Sequence, residues 1–377
     1  MEVMGMNESR ECITTLPITP MDRPSAGLNV VPFLMDAFGK RLGKKTVLSL
    51  NTNGVKFYNQ DTEKHVSGYL SSLDILGITP DFIWRDDQEE NVSWINLFFS
   101  QLQESGYISR EMASIIKCEC GAVESLAEAE NISPSRALYV VDKGKTYCRL
   151  CNSEVRESRE SAYLFNFPMS IGLKKIFPSP YIREIEAMIL KFKDYKFLIS
   201  RSRPSAFALW TGEGNIFLDV DFVWQMFLPI LRRCGYEPTI LIGGNKNLMA
   251  CCFSMTMSYL IDQRDVSLII PPYYLAPGRK SLKGEQCLSD NLVSEYGQKS
   301  VRLLLATAIN WTKKESVLDL NLIKLISKMA YRIYGVEKIT DIEIALADFE
   351  GKKIKKLLAQ FRKTRDAFHS EELFGLV

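Results

Sequence analysis

The stretch CITTLPITPMDRPSAGLNVVPFLMDAFGKRLGKKTVLSLN, residues 12–51, decides the fold. Residues 12–18 predict a buried strand because they are apolar or β-branched. Residues 30–44 place apolar side chains at helical spacing, and Pro32 is tolerated there because it lies in the first turn. Residues 46–51 predict a second strand. A strand, a helix and a strand in this order form a right-handed parallel unit, so we expect a doubly wound α/β domain.

Helix and strand patterns continue to alternate beyond this unit. Helical spacing recurs at 61–76 and 91–105. Further strands interleaved with helices are predicted within 197–210, 217–235, 239–247 and 266–275. Residues 118–151 instead contain cysteines, short segments and turns, whereas 289–377 are mostly helical by pattern.

Composition indicates a globular protein of two or three domains. The chain has 377 residues, of which 46% are hydrophobic and 24% charged. No apolar run reaches the roughly 18 residues of a membrane span, and the acidic N-terminus is unlike a signal peptide, so we expect a cytoplasmic protein with no membrane partner. The net charge of +2 gives no general attraction to nucleic acid, and we expect no DNA partner. The only histidines, His65 and His369, disfavour mechanisms that need two neighbouring imidazoles.

Four of the nine cysteines have the spacing of a metal site. Cys118 and Cys120 form a C-x-C pair, and Cys148 and Cys151 form a C-x2-C pair. Four thiolates satisfy tetrahedral zinc and leave no open position, so such a zinc would be structural. The alternative is that these are unrelated buried thiols. The remaining cysteines lack this spacing and are predicted to lie in the core: Cys12, Cys234, Cys251, Cys252 and Cys287.

The predicted architecture is therefore a Rossmann-like doubly wound parallel sheet, interrupted by a zinc-knuckle insertion and followed by a C-terminal helical bundle. We expect the first half of the Rossmann-like domain at 1–110 and the insertion at 111–196. The second half is expected at 197–290, and the helical domain at 291–377.

In their order along the chain, several segments resemble those of class I aminoacyl-tRNA synthetases, the methionyl type most closely. The stretch TTLPITPMDRPSAGLN is similar to the family's strand, Leu-Pro and Pro-His-Ile-Gly-His signature. The other similar segments are 76–108 before the zinc-bearing insertion, LIGGNKN at the Ile-Gly-Lys-Asp segment, PGRKSLKGEQ at the Gly-Arg-Lys-Met-Ser-Lys-Ser loop, and SEYGQKSVRLLLA at the Tyr-Gly-Ala-Asp-Ala-Leu-Arg helix. The resemblance covers roughly residues 12 to 310 and implies binding of ATP with Mg, an amino acid or related acid, and structural zinc.

Most of the matching positions have lost a charge or a proton donor. The two signature histidines, which hold the ATP phosphates in that family, match Ser25 and Leu28. Asn51 stands where the methionyl enzymes have an aspartate for the substrate's α-ammonium group, which gives up about 1.5–3 kcal/mol of charge-assisted hydrogen bonding. The ribose-contacting Lys-Asp becomes Gly244 and Asn245, and a nearby histidine becomes Ala250.

The lysine loop keeps more of the family's pattern. Lys280 and Lys283 have the family's spacing and could bind a triphosphate, although a basic surface loop would have the same sequence. The resemblance implies catalytic roles for Ser25, Lys280 and Lys283. It implies ATP-binding roles for Pro24, Gly27, Gly243, Gly244, Asn245, Lys280 and Lys283. It implies substrate-binding roles for Leu16, Ile18, Asn51 and Trp224, although Trp224 could equally be a core residue.

A basic segment near the C-terminus suggests a nucleic-acid contact. Residues 351–366 contain seven basic residues and one acidic residue, with an apolar stripe at helical spacing. Such a helix could dock by its stripe and present lysine and arginine to tRNA. The alternative is a solvated face on a terminal helix.

Three functions agree with these observations. The first is ATP-dependent activation of an amino acid or related carboxylic acid as an adenylate, with transfer to tRNA or to an amine. The second is a catalytically silent relative that binds tRNA or a partner protein, because several donors are lost together. The third is a transferase that uses aminoacyl-tRNA with Ser25 as nucleophile, although no activating base is evident. The retained lysine pair favours the enzyme.

Overall fold

The structure is a computed structural model. It describes residues 10–57, 60–125, 138–168, 175–193, 195–200, 207–211, 214–276, 280–281, 288–309, 311, 314–318 and 323. Several predicted features lie outside the described residues: Lys283, Cys287 and the basic segment 351–366.

Strands and helices alternate along most of the described chain. The strands are β1 (Arg10–Thr15), β2 (Lys45–Leu50), β3 (Phe82–Arg85), β4 (Ile108–Lys117), β5 (Val123–Ser125), β6 (Tyr139–Asp142), β7 (Lys145–Cys148), β8 (Arg156–Asn166), β9 (Ile176–Phe177), β10 (Lys196–Leu198), β11 (Phe207–Thr211), β12 (Gly214–Leu218), β13 (Tyr236–Ile242), β14 (Ser267–Ile269), β15 (Tyr273–Ala276), β16 (Lys280–Ser281) and β17 (Glu315–Val317). The helices are α1 (Val30–Leu42), α2 (Asn53–Phe57), α3 (Thr62–Ile75), α4 (Glu90–Glu104), α5 (Pro180–Phe192), α6 (Val220–Val223), α7 (Phe227–Arg233), α8 (Leu248–Asp262), α9 (Ser289–Tyr296) and α10 (Gln298–Ala308).

A six-stranded parallel sheet forms the centre of the fold, in the order β3-β2-β1-β13-β14-β9. This confirms the predicted α/β architecture with a parallel sheet. The predicted first strand ends early, at Thr15. After it, Pro17 has no N–H to donate to a neighbouring strand, so the regular pairing is interrupted, and Ile18 forms only an isolated parallel bridge with Leu50. Helix α1 ends where Gly43 adopts a left-handed conformation, with φ of 62°.

An antiparallel sheet begins, along the chain, after β1, β2 and β3 of the parallel sheet. Its strand order is β10-β8-β4-β5. Its longest pairing joins β4 to β8, from Ile108 opposite Phe165 to Lys117 opposite Arg156. The cysteine pairs lie beyond this end, next to the hairpin of β6 and β7. Strand β9 belongs to the parallel sheet although it falls within the range predicted for the insertion. The four domain boundaries stay a prediction.

Two apolar cores pack against the parallel sheet. One contains α4, α5, α7 and α8, and the other contains α1, α3 and α10. Cys12, Cys251 and Cys252 are buried as predicted, but Cys234 is exposed. The core prediction for Cys234 is wrong because this residue follows the last residue of α7 and begins a turn into Gly235. Within the described residues, no helix has the length and apolar character needed to cross a membrane.

Candidate functional site

A cavity of about 240 Å³ lies at the carboxyl ends of β1 and β2. Leu16 and Thr19 follow β1, and Asn51 follows β2. Strand β1 is the point where the sheet order reverses, with β2 and β3 on one side and β13 and β14 on the other. Ligands of open α/β sheets bind at this switch point, so the cavity lies where the fold favours a binding site.

Three of the four predicted substrate-binding residues line this cavity: Leu16, Asn51 and Trp224. Ala250, at the position of a family histidine, also lines it. Ile18 instead packs against the core formed with α1, and its N–H donates to the carbonyl of Ser49 at 2.9 Å. The structure thus brings together residues that follow β1, β2 and β12 with a residue of α8.

Several cavity residues had no part in the sequence prediction. Asp219 and Asp221 line the wall that follows β12, where a carboxylate oxygen of Asp219 accepts the N–H of Asp221 at 2.9 Å. The indole N–H of Trp224 donates to Asp221 at 3.3 Å. An aspartate between a strand and a helix is a typical N-cap, and this was the available sequence signal. Apolar side chains complete the walls: Phe197, Leu198, Ile199, Phe222, Met249 and Phe253.

The turn that contains Pro24, Ser25 and Gly27 is joined to the start of α9. Ser25 forms an antiparallel bridge with Leu288, and the N–H of Ser289 donates to the carbonyl of Pro24 at 3.2 Å. Further contacts between the same two segments run from Arg23 to Asp290 at 3.0 Å and from the Asn29 amide to the Ser289 hydroxyl at 2.9 Å. Leu28 is 43% exposed on this turn. The turn is therefore held in place by the segment that follows the lysine loop.

The residues after β13 differ in their surroundings. A Cβ on Gly243 would lie 2.3 Å from the sulfur of Cys251, so only glycine fits there without displacement. A Cβ on Gly244 would meet no atom within 4 Å, which leaves open space beside the backbone. Asn245 donates to the carbonyl of Lys314 at 2.5 Å and to the hydroxyl of Tyr181 at 3.3 Å. Its amide is engaged within the protein.

The four predicted metal ligands converge at the end of the antiparallel sheet. The sulfurs of Cys118, Cys120, Cys148 and Cys151 all lie within 4.8 Å of one another. The closest pairs are Cys118 with Cys151 at 3.3 Å and Cys120 with Cys148 at 3.7 Å. A tetrahedral site with metal–sulfur bonds of about 2.3 Å places its sulfurs about 3.8 Å apart, so this cluster fits such an ion. Hydrogen bonds from Ser153 lower the pKa of Cys151 to about 6 and favour its thiolate.

The fold of this chain is similar to that of solved structures of a known enzyme. Two complexes of Mycobacterium tuberculosis methionyl-tRNA synthetase with methionyl-adenylate match this chain. The first match has a TM-score of 0.63 and 11% identity and covers 97% of this chain and 88% of that one. The second has a TM-score of 0.61 and 12% identity, over 97% and 81%. The chain has the methionyl-tRNA synthetase fold.

This finding confirms the fold that the sequence resemblance implies. No protein-family model and no curated protein matches the chain. At 11–12% identity the similarity to the methionyl-tRNA synthetase structures concerns the fold alone, so the chemistry of this chain has to be argued from its own residues.

Next to Asn51, a buried carboxyl group supports the wall of the cavity. One oxygen of Asp86 accepts the N–H of Thr52 at 2.7 Å, the hydroxyl of Thr52 at 2.6 Å and the N–H of Asn53 at 3.1 Å. The other oxygen has no partner among the described residues. Burial raises the pKa of Asp86 to about 6, although these hydrogen bonds oppose the shift. Asp86 therefore fixes the two residues that follow Asn51.

Asp86 is expected to make the free energy of unfolding depend on pH. Asp86 titrates near 6 in the folded chain and near its usual 3.8 when unfolded, so the folded state holds the proton more tightly between these values. Its contribution to the free energy of unfolding is fully present below about pH 4 and is lost as the pH rises through 6, a change of roughly 2–3 kcal/mol. Urea unfolding of the parent and of Asp86→Asn from pH 4 to pH 7 measures the difference.

The neighbouring carboxyl group supplies the matched control. Burial alone would raise the pKa of Asp87, but hydrogen bonds from Arg85 and Lys56 outweigh it and lower the pKa to about 2. Asp87→Asn should therefore change the pH dependence only below about pH 4. Equal curves for the parent and Asp86→Asn between pH 4 and pH 7 would contradict the assignment.

Proposed function

We propose that the chain activates a carboxylic acid with ATP, forms an acyl-adenylate, and transfers the acyl group to tRNA or to an amine. The supporting observation is the bridge between Ser25 and Leu288. Lys283 precedes Leu288 by five residues, so at most about 18 Å of extended chain separates this lysine from Leu288, the residue bridged to Ser25. Chain length alone therefore limits how far Lys283 can lie from this turn.

The proposed chemistry uses three regions of the chain. ATP, when bound with Mg, supplies the group that activates the acid. The open space beside Gly244 and the turn around Gly27 suit the nucleotide, while Lys280 and Lys283 would stabilise the negative charge that develops on the phosphates. The cavity between Leu16 and Trp224 would bind the acid and exclude water from its apolar part. Because Ser25 and Leu28 replace both signature histidines, Lys280 and Lys283 would be the main cationic groups that contact the phosphates.

Exchange of radiolabelled pyrophosphate into ATP tests the proposal directly. The purified chain is assayed with each of the twenty amino acids and with their 2-hydroxy and 2-oxo analogues. We expect exchange with at least one acid and a loss of roughly 100-fold or more in the Lys280→Ala, Lys283→Ala variant, because two charge-stabilising donors are removed. The control is Lys145→Ala, an exposed lysine of the β6–β7 hairpin, which should exchange at the parent rate.

Absence of exchange with every acid, from folded protein, would reject adenylate formation. A second candidate would then take its place, namely a silent relative that binds tRNA or a partner protein. Internal contacts of Asn245 and of the turn at Pro24 favour this candidate, because groups at nucleotide-binding positions bond to the protein itself. Filter binding of total tRNA by the parent and by a chain truncated before residue 351 tests it.

We also propose that the four clustered cysteines hold structural zinc. Four sulfur ligands at these separations suit Zn²⁺ and leave no position for a substrate or a water molecule. The ion would tie the turn after β4 to the turn after β7. It would thereby stabilise the insertion without taking part in the reaction.

A further inference from the structure

The polar side chain of Asn51 lines the cavity, and its amide oxygen already bonds to the protein. Asn51 is 8% exposed and lines the cavity. Its own N–H donates to the carbonyl of Ile18 at 2.9 Å, so its backbone position is fixed between β2 and the segment after β1. Its side-chain oxygen accepts the N–H of Gly54 at 2.8 Å.

This contact determines which way the amide is turned. A backbone N–H can only donate, so the atom that faces Gly54 must be the oxygen of Asn51. Gly54 also packs closely against this oxygen, since a Cβ on Gly54 would lie 3.1 Å from it. The amide nitrogen is therefore the group that remains for the cavity, because the oxygen is the atom that Gly54 engages. At this point the cavity presents hydrogen-bond donors.

A ligand group beside Asn51 must consequently accept a hydrogen bond. An ammonium group has only donors, so it cannot bond to the amide N–H groups of Asn51, and the oxygen of Asn51 already accepts the N–H of Gly54. A hydroxyl group accepts from an amide and can also donate to a carboxylate, such as those of Asp219 and Asp221 on another wall of the cavity. A hydroxyl thus suits both kinds of polar wall, whereas an ammonium group suits only one.

The position of Asn51 indicates which part of the ligand lies there. Asn51 is bonded to Ile18, which leads directly into the turn at Pro24 and Ser25. In the proposed reaction the carboxylate of the acid lies nearest this turn, so the substituent on the adjacent carbon faces Asn51. The remaining walls are apolar, with Phe197, Phe222 and Phe253 among them, and suit an aliphatic, thioether or aromatic side chain.

We propose that the cavity binds a 2-hydroxy carboxylic acid with an apolar side chain in preference to the corresponding amino acid, and that Asn51 determines this preference. This inference rests on the proposed function for the orientation of the acid. It assigns the specificity to the donor that Asn51 presents once its oxygen is bonded to Gly54.

Matched ligand pairs test the inference without ATP. Isothermal titration measures binding of L-3-phenyllactate and L-phenylalanine, of L-2-hydroxyisocaproate and L-leucine, and of the 2-hydroxy analogue of methionine and L-methionine. We expect the hydroxy acid of at least one pair to bind roughly tenfold or more tightly than its amino acid. An amino acid that binds as tightly as its hydroxy analogue in every pair, or no binding by any of the six ligands at millimolar concentration, would overturn the inference.

Asn51→Asp is the decisive variant. The carboxylate has the same shape and still accepts the N–H of Gly54, so the turn into α2 is preserved, but it presents an acceptor and a negative charge to the cavity. We expect the preference to reverse in favour of the amino acid, by roughly tenfold or more. In Asn51→Ala the hydroxy acid should lose affinity while the amino acid does not. An unchanged preference in both variants would reject the role of Asn51.

Binding and pyrophosphate exchange separate the two proposals. A binding preference for hydroxy acids without exchange for any acid would reject adenylate formation and leave this inference standing. Exchange that occurs with amino acids alone would support adenylate formation and reject the preference for hydroxy acids.

Discussion

Asp36→Ala is expected to lower the free energy of unfolding by about 3–5 kcal/mol, because it leaves a buried guanidinium group without its counter-charge. Arg302 on α10 bonds to Asp36 on α1 at 2.6 Å, and the two side chains are 7% and 9% exposed. The same guanidinium donates to the carbonyls of Leu76 at 2.9 Å and Gly77 at 3.1 Å, just after α3. One arginine therefore joins α1 and α10 to the end of α3.

Urea unfolding followed by tryptophan fluorescence and by circular dichroism measures this loss, and coincident transitions would justify a single free energy. Lys40→Ala is the matched control, since Lys40 bonds to the same carboxylate at 2.8 Å but is 44% exposed. Its removal should cost at most about 1 kcal/mol. The double variant Asp36→Ala, Arg302→Met should lose less than the sum of its single changes, because no charge is left buried. A loss below about 1 kcal/mol in Asp36→Ala would show that the carbonyls of Leu76 and Gly77 are enough to stabilise the buried guanidinium of Arg302.

The first βαβ unit could be predicted from sequence because its signals are local. Apolar residues recur every three or four positions through α1, and Gly43 provides the left-handed residue that ends it. Strand β9 offers no such signal. It is two residues long, and it pairs with β14 about ninety positions later, so only the tertiary fold defines it. Helix α5 and strand β3 were also missed, although α5 begins with Pro180 at a favoured position.

In the cavity, too, some features follow from local sequence signals and others only from the tertiary fold. Leu16 and Asn51 follow strands that the sequence predicts, so their convergence follows from the parallel sheet itself. The contribution of Asp86 depends on its burial beneath Thr52, which no local pattern specifies. The Asn51 contact to Gly54 likewise appears only in three dimensions, yet it decides whether this side chain offers a donor or an acceptor.

Loss of the proposed zinc is expected to unfold the insertion. Cys148 is buried at the end of β7, and its sulfur accepts the N–H of Leu150 at 3.4 Å, so it lies at the centre of the second turn. Few apolar residues pack around this part of the chain, chiefly Ile116, Tyr139 and Val155. Such a small core cannot offset the loss of four metal bonds, because zinc contributes about 10–16 kcal/mol of apparent binding free energy in small zinc domains.

Cys148→Ser should therefore abolish zinc binding and expose the hairpin of β6 and β7 to proteolysis, while the parallel sheet stays folded. Plasma mass spectrometry of the purified protein measures the metal, and we expect one zinc per parent chain and none in the variant. Cys234→Ser is the matched control, because Cys234 is an exposed cysteine outside the cluster and should leave the zinc content unchanged. Equal zinc in Cys148→Ser and the parent would place the metal elsewhere, whereas a metal-free parent with a protease-resistant hairpin would mean that thiol packing alone holds the two turns together.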